Sequence, residues 1–386
     1  MTESMTRRER ILAAMRREPV DRVPCAISFN PLYPPQRTSW NFPWPQEATV
    51  AERTAYQVEQ LGLDQVLRVG VDGCRPAEAV TSRTWVTDDG LLHKAYDTPD
   101  GELRASVRYN ELWAHGEDIP LLSDFNVGHF VEPWIRDERD LACLRHVMRW
   151  DPTGRAQERT RAIFDEYRAV AERYGLAVGA QIGEGLTGAM KMFGAEPLMM
   201  AVVEQPGLVE AYMAFEHEIN LKRIDLAAEC GAELISRNGF YETGDFYSPA
   251  MLERFVGGPL RREADAARAA GLLSRYVIHT GVMPILDYLD GLPLDSLFGI
   301  DIAFQGVDLG AIRDRLGGRK SFWIGPSSTY HLWNGPESTR RASRKTFGVF
   351  GDRPGFIFAP GVSAHAIMPW ESTLAMIDEW KRLRGG

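Results

Sequence analysis

One cycle, met four times along the chain, constrains its fold more than any other feature. An amphipathic helix runs into a glycine stop, then a short β-rich segment, then polar or aromatic residues. The periodicity predicts helices over 157–174, 207–230, 260–270 and 308–316, stopped at Gly175, Gly231, Gly271 and Gly317-Gly318. Behind them LAVGAQI leads to Gly183-Glu184, and AELIS to Arg237-Asn238 and Tyr241-Glu242. LLSRYVI leads to His279-Thr280, and SFWIG to Ser327 and Tyr330. Glycine supplies a left-handed C-cap, and an apolar run after it reads as a strand covered on both faces. Repeated units of this kind imply a parallel sheet wrapped by helices. If that sheet closes into a barrel, the side chains just past each strand converge on one pocket.

Bulk properties exclude several classes of function. The 386 residues, 44% hydrophobic and 25% charged, suit a globular protein built as one unit over 1–386 with an insertion. A net charge of −9, with no basic stripe interleaved with aromatics, argues against nucleic acid as a partner. No apolar run approaches the length of a membrane span, and no signal-peptide core opens the sequence. The four cysteines, Cys25, Cys74, Cys143 and Cys230, are scattered without CxxC or CxH pairing, which reads as reduced thiols in a cytoplasmic protein.

Outside the cycles, 6–17 is a short helical stretch and CAISFN a candidate first strand. A proline-rich loop from 31 to 45, carrying Tyr33, Trp40 and Trp44, is expected to be a lid over a pocket or a disordered stretch. A helix over 48–62 follows, and WESTLAMIDEWKRL predicts a last helix that closes the ring. Residues 78–113 alternate apolar and polar around Asp89-Gly90 and Asp100-Gly101, the pattern of antiparallel hairpins inserted between barrel units.

Several stretches together resemble the uroporphyrinogen decarboxylase superfamily. They are TRRERILAAMRREPVDRVP, GDFYSPAMLERFVGGPLRREADAARAAG, YVIHTGVMPILDYL, IGPSSTYHLWNGPESTRR and GFIFAPGVSAHAIMPWESTLAMIDEWK. The likeness covers most of the chain, is strongest from about residue 205, and is greatest to the methyltransferase-like branch. It implies an α/β fold, a TIM (β/α)8 barrel with a β-hairpin insertion in its N-terminal third. Two departures matter. Zinc-dependent members hold metal through H-x-C and a later cysteine, but the matching positions here read His279-Thr280-Gly281 and Gly361-Val362. The region that carries an arginine-rich stretch in true decarboxylases reads FNPLYPPQRTSWNFPWP, with Arg37 alone, so a porphyrinogen with many carboxylates is disfavoured.

The candidate catalytic groups are His279, Glu242 and Tyr330. Asn30, Glu184, Asn238, Tyr241, Asp301 and His365 are candidates for holding substrate. Each has a plainer alternative: a capping role for Glu184, packing near Tyr330, an arginine partner for Asp301, a loop position for His365. His279 and His365, with a carboxylate such as Glu184 or Glu242, would make a divalent site suited to zinc, iron or manganese. The leading reading of function is methyl transfer or demethylation of a small molecule. Any corrinoid would sit on a separate partner protein, because this chain has no D-x-H-x-x-G signature. The alternatives are a decarboxylase or other lyase, and a binding protein without turnover. A homodimer remains open.

Overall fold

The computed structural model describes residues 4–31, 39–111, 113, 115–122 and 130–384. The chain opens with the helix Arg7–Met15, where Thr6 and Glu9 each bond the other's backbone N–H. Along the chain follow β1 (Phe29–Asn30), β2 (Val66–Gly70), β3 (Cys74–Arg75), β4 (Thr81–Val86), β5 (Leu91–Thr98), β6 (Gly101–Arg108), β7 (Phe130–Glu132) and β8 (Arg149–Trp150). The cycling region supplies β9 (Ala177–Gln181), β10 (Leu234–Asn238), β11 (Leu273–Val277), β12 (Ser296–Phe298), β13 (Ser321–Ile324), β14 (Phe356–Phe358) and β15 (Ala364–His365).

Seven strands form one parallel sheet in the order β14-β13-β12-β11-β10-β9-β2. The segment before and through β1 closes it into a barrel. On one side Cys25 bridges Phe358 in parallel, and Phe29 and Asn30 pair with Ala364 and His365. On the other, the Asp64 N–H donates to the Cys25 carbonyl at 2.7 Å. The Gln65 amide then accepts from the Ile27 N–H at 3.2 Å and donates to its carbonyl at 2.9 Å. A side chain thus completes the last seam of the barrel.

The expected helices are present as Arg155–Tyr174, Pro206–Glu229, Gly258–Ala269 and Leu309–Leu316. Gly175, Gly231 and Gly271 are left-handed as expected, but Gly317 has φ −64° and is right-handed. Its reason is space: a Cβ there would lie 2.5 Å from the Arg313 carbonyl oxygen.

The N-terminal helix packs Ile11, Leu12, Ala14 and Met15 against the lumen residues Ala177, Leu234, Phe298, Trp323 and Ile357. It plugs one end of the barrel with apolar area and with the buried Arg10, which pairs with Asp21 and Asp64. The other end, where the strands finish, stays open.

Residues 81–108 form the two expected hairpins, β4-β5 and β5-β6. The sheet extends further than expected, because Phe130–Glu132 adds a fourth strand beside β6. In the proline-rich loop, Tyr33 and Arg37 lie outside the described residues. The described part is packed core: Phe42 and Trp44 are buried against Phe29, Tyr56 and Trp370. Asn41 holds the loop of the last strand through the carbonyls of Ile367 and Met368. This part of the loop is a strut under the pocket wall. Among the described residues no helix is long and apolar enough to cross a membrane.

Candidate active site

The strands end around a cavity of about 620 Å³, the size of a small-molecule site. Its wall draws on β1 (Asn30), β2 (Arg68), the turn after β9 (Glu184), β10 (Asn238), the turn after β11 (His279) and β15 (His365). Tyr241 lines it too. Six expected residues, Asn30, Glu184, Asn238, Tyr241, His279 and His365, are therefore brought together by the fold.

His279 is held by its neighbours in one tautomer. Its Nδ1 is 2.9 Å from the Gly299 carbonyl, which can only accept, so that nitrogen carries the proton. Nε2 is the nitrogen left for chemistry, 3.9 Å from an Asp301 carboxylate oxygen. Asp301 is 1% exposed and takes a hydrogen bond from the Ser327 hydroxyl at 2.6 Å. It stands behind His279 and does not line the cavity, so the structure corrects its expected substrate contact to a positioning contact.

Glu184 lies just before the helix Leu186–Phe193, and Lys191 comes back to it two turns later at 2.8 Å. The turn is pinned from beneath: Glu216 accepts the N–H groups of Glu184 and Gly185, and Glu242 accepts that of Leu186 at 2.7 Å. Both glutamates, with Glu263, surround the buried Arg237 at 3.3–3.9 Å. Burial opposes the Arg237 charge, but Glu242, Glu216 and Glu263 outweigh it and raise its pKa well above the usual range. Burial pushes the Glu242 carboxyl up in spite of Arg237. The Tyr276 hydroxyl donates to Glu242 at 2.5 Å. Glu242 is fully buried behind the wall, so the expectation of a catalytic group facing substrate is corrected.

Tyr330 is also displaced from its expected role. It is 48% exposed, stands edge-on to Phe304, and lies outside the cavity lining. Its neighbours Ser328 and Thr329 line the wall instead, on a wide π-type turn spanning Ser328–Leu332. Among the described residues no three His, Cys, Asp or Glu side chains come together as metal ligands. The divalent site expected from His279, His365 and a carboxylate is therefore not assembled by these residues. None of the four cysteines lines the cavity.

His365 is 7% exposed, and burial pushes its imidazole down to about 4 against the opposing pull of a hydrogen bond with the Asn30 backbone. The unfolded value is near 6.5, so unfolding takes up a proton between these two pH values. The stability of the neutral form is whole above about pH 6.5 and is lost as pH falls towards 4, by up to about 3 kcal/mol. Urea titrations from pH 7 to 4 are expected to show wild type losing more stability than His365→Gln. Equal losses would mean that His365 is protonated inside the fold.

Sequence reading missed Arg68, Thr187, Lys191, Ser328 and Thr329 on the wall. Two of them left a signal. Lys191 is the one charge in LTGAMKMF, seven residues and two helical turns from Glu184, and Arg68 is the one charge in VLRVG.

Comparison with known proteins agrees with this architecture. No curated protein matches the chain. A solved methyltransferase from Methanosarcina mazei is similar over 98% of this chain and 99% of its own, with TM-score 0.61 and 16% identity. A GH113 beta-1,4-mannanase is similar over 94% of this chain and 99% of its own, with TM-score 0.43 and 10% identity, too loose a likeness to carry argument. The former shows the shared barrel fold. The family described as Uroporphyrinogen decarboxylase (URO-D) matches residues 126–383, more than half of the sequence. This region holds the cycling strands and most of the cavity wall, and the chain belongs to that family.

Proposed function

We propose that this protein transfers a methyl group from a small O-methyl or N-methyl substrate to a corrinoid carried by a separate protein. The observation that carries the reading is His279, whose Nδ1 is fixed on the Gly299 carbonyl so that Nε2 is left to act at a cavity with no cysteine on its wall. The full-length fold likeness to a methyltransferase agrees with it. The corrinoid supplies the acceptor for the methyl group. When that group leaves, its electron pair stays on the substrate heteroatom, which then needs a proton. His279 delivers it from Nε2, and the Asp301 carboxylate 3.9 Å away helps to hold the ring in place. Asn30, Asn238, Tyr241 and the Glu184–Lys191 pair orient the substrate.

A rim of exposed aromatics supports a protein partner at the mouth. Phe246, Phe304, Tyr330 and Trp333 are 39–49% exposed. Phe304 faces both His279 and Tyr330, and Phe246 faces Tyr241. Apolar area of this kind is commonly covered by a partner.

The test supplies free cob(I)alamin in place of the partner, with a panel of O-methyl and N-methyl compounds. Consumption of the acceptor is expected only with both protein and methyl donor. Conversion of substrate without acceptor, with release of CO₂ or an alkene, would assign a lyase instead. Saturable binding of substrate with no conversion in either setting would favour the binding protein.

A further inference from the structure

Among the described residues, two arginines inside the barrel have no carboxylate counter-ion. Leu273, Arg275 and Val277 alternate into the lumen, where Arg275 is 3% exposed. Arg275 lies against the rings of Trp323 at 4.5 Å and Phe298 at 5.0 Å, and donates to the Ser236 hydroxyl at 2.8 Å. Its Nη2 has no hydrogen-bond partner among the described residues. Arg68, on β2, donates to the Ser28 hydroxyl. Its side chain is exposed to the cavities that it lines. Among the described residues no carboxylate acts on the charge of either arginine. Burial lowers the pKa of both, and the charge of Arg68 lowers that of Arg275 further.

An unpaired buried cation such as Arg275 is costly, and a second arginine within reach adds to that cost. Elsewhere this chain pairs its buried arginines, Arg10 with two aspartates and Arg237 with three glutamates. The exception stands at the cavity. Arg68 and Phe298 line both the mouth cavity and a small inner one of about 30 Å³, where Arg275 also lies. The inner space has room for about one water or one ligand oxygen, not for a molecule. A ligand that neutralises this pair must therefore keep its body in the mouth and send only an anionic group downward.

We propose that Arg68, backed by Arg275, anchors the anionic end of the substrate, so that this cavity takes a small organic carboxylate. The opposite end of such a molecule then lies nearer His279. A guanidinium suits the role, since its planar fork donates two parallel hydrogen bonds to a carboxylate. The inference rests on the mouth cavity being the substrate site, but its test reads binding alone. Failure of methyl transfer would leave it standing, and its own failure would leave methyl transfer open.

Calorimetric titration of the whole protein with benzoate and with its neutral isostere benzamide tests it without any variant. Benzoate is expected to bind one per chain, at least tenfold tighter than benzamide. Arg68→Gln is expected to abolish the preference and to melt no lower than wild type without anion, because an uncompensated charge has been removed. Arg68→Lys is expected to keep part of the preference. Equal binding of benzoate and benzamide would overturn the proposal, as would a preference that survives in Arg68→Gln. So would the absence of saturable binding of benzoate, acetate and sulfate alike to wild type.

Discussion

Arg237→Leu is expected to cost about 3–5 kcal/mol of folding stability, the price of breaking a buried ion pair by removing one partner. That is a large share of the roughly 5–15 kcal/mol that holds a typical protein together. The variant leaves Glu216, Glu242 and Glu263 buried together without their shared guanidinium, with only His217 beside Glu263 at 3.1 Å. Carboxyls in that state have folded pKa values above their unfolded ones, so the folded form takes up protons as pH falls. The deficit is therefore expected to be largest near pH 8 and to shrink towards pH 5. Urea titrations at the two pH values check this. A deficit below about 1 kcal/mol at pH 8 would mean that the three glutamates do not need their cation. Because Glu216 and Glu242 hold the N–H groups of Glu184, Gly185 and Leu186, the surviving fold is also expected to lose the Glu184–Lys191 pair.

His279→Gln is expected to lower kcat for methyl transfer by about 10²–10⁴, the usual worth of a positioned general acid. Glutamine can still donate to the Gly299 carbonyl but cannot deliver a proton from the place of Nε2. KM is expected to change little, and so is the melting temperature, since His279 is partly open to the cavity. Steady-state rates with cob(I)alamin as acceptor check the split. A raised KM with unchanged kcat would make His279 a binding residue only.

Much of the candidate site was legible because barrel geometry converts sequence position into place. A residue at the end of a strand or within the next three ends at the mouth, and Glu184, Asn238 and His279 are found there by that rule. The rule carries no information about direction in the turn that follows. Glu242 is next to Tyr241, yet Tyr241 faces the cavity while Glu242 turns inward to Arg237 and Tyr276. Tyr330 likewise falls outside while Ser328 and Thr329 line the wall, since a wide turn sets their order round the axis.

By itself the sequence determined the repeating αβ units, the stops at Gly175, Gly231 and Gly271, the inserted hairpins and most of the strand ends that meet at the mouth. These follow from local periodicity and backbone freedom, which near neighbours decide. Only the tertiary structure decided that Gln65 seals the barrel, that three glutamates share Arg237, and that Arg68 and Arg275 share none among the described residues. Charges pair by distance in space, and those distances are set by strands that lie far apart along the chain.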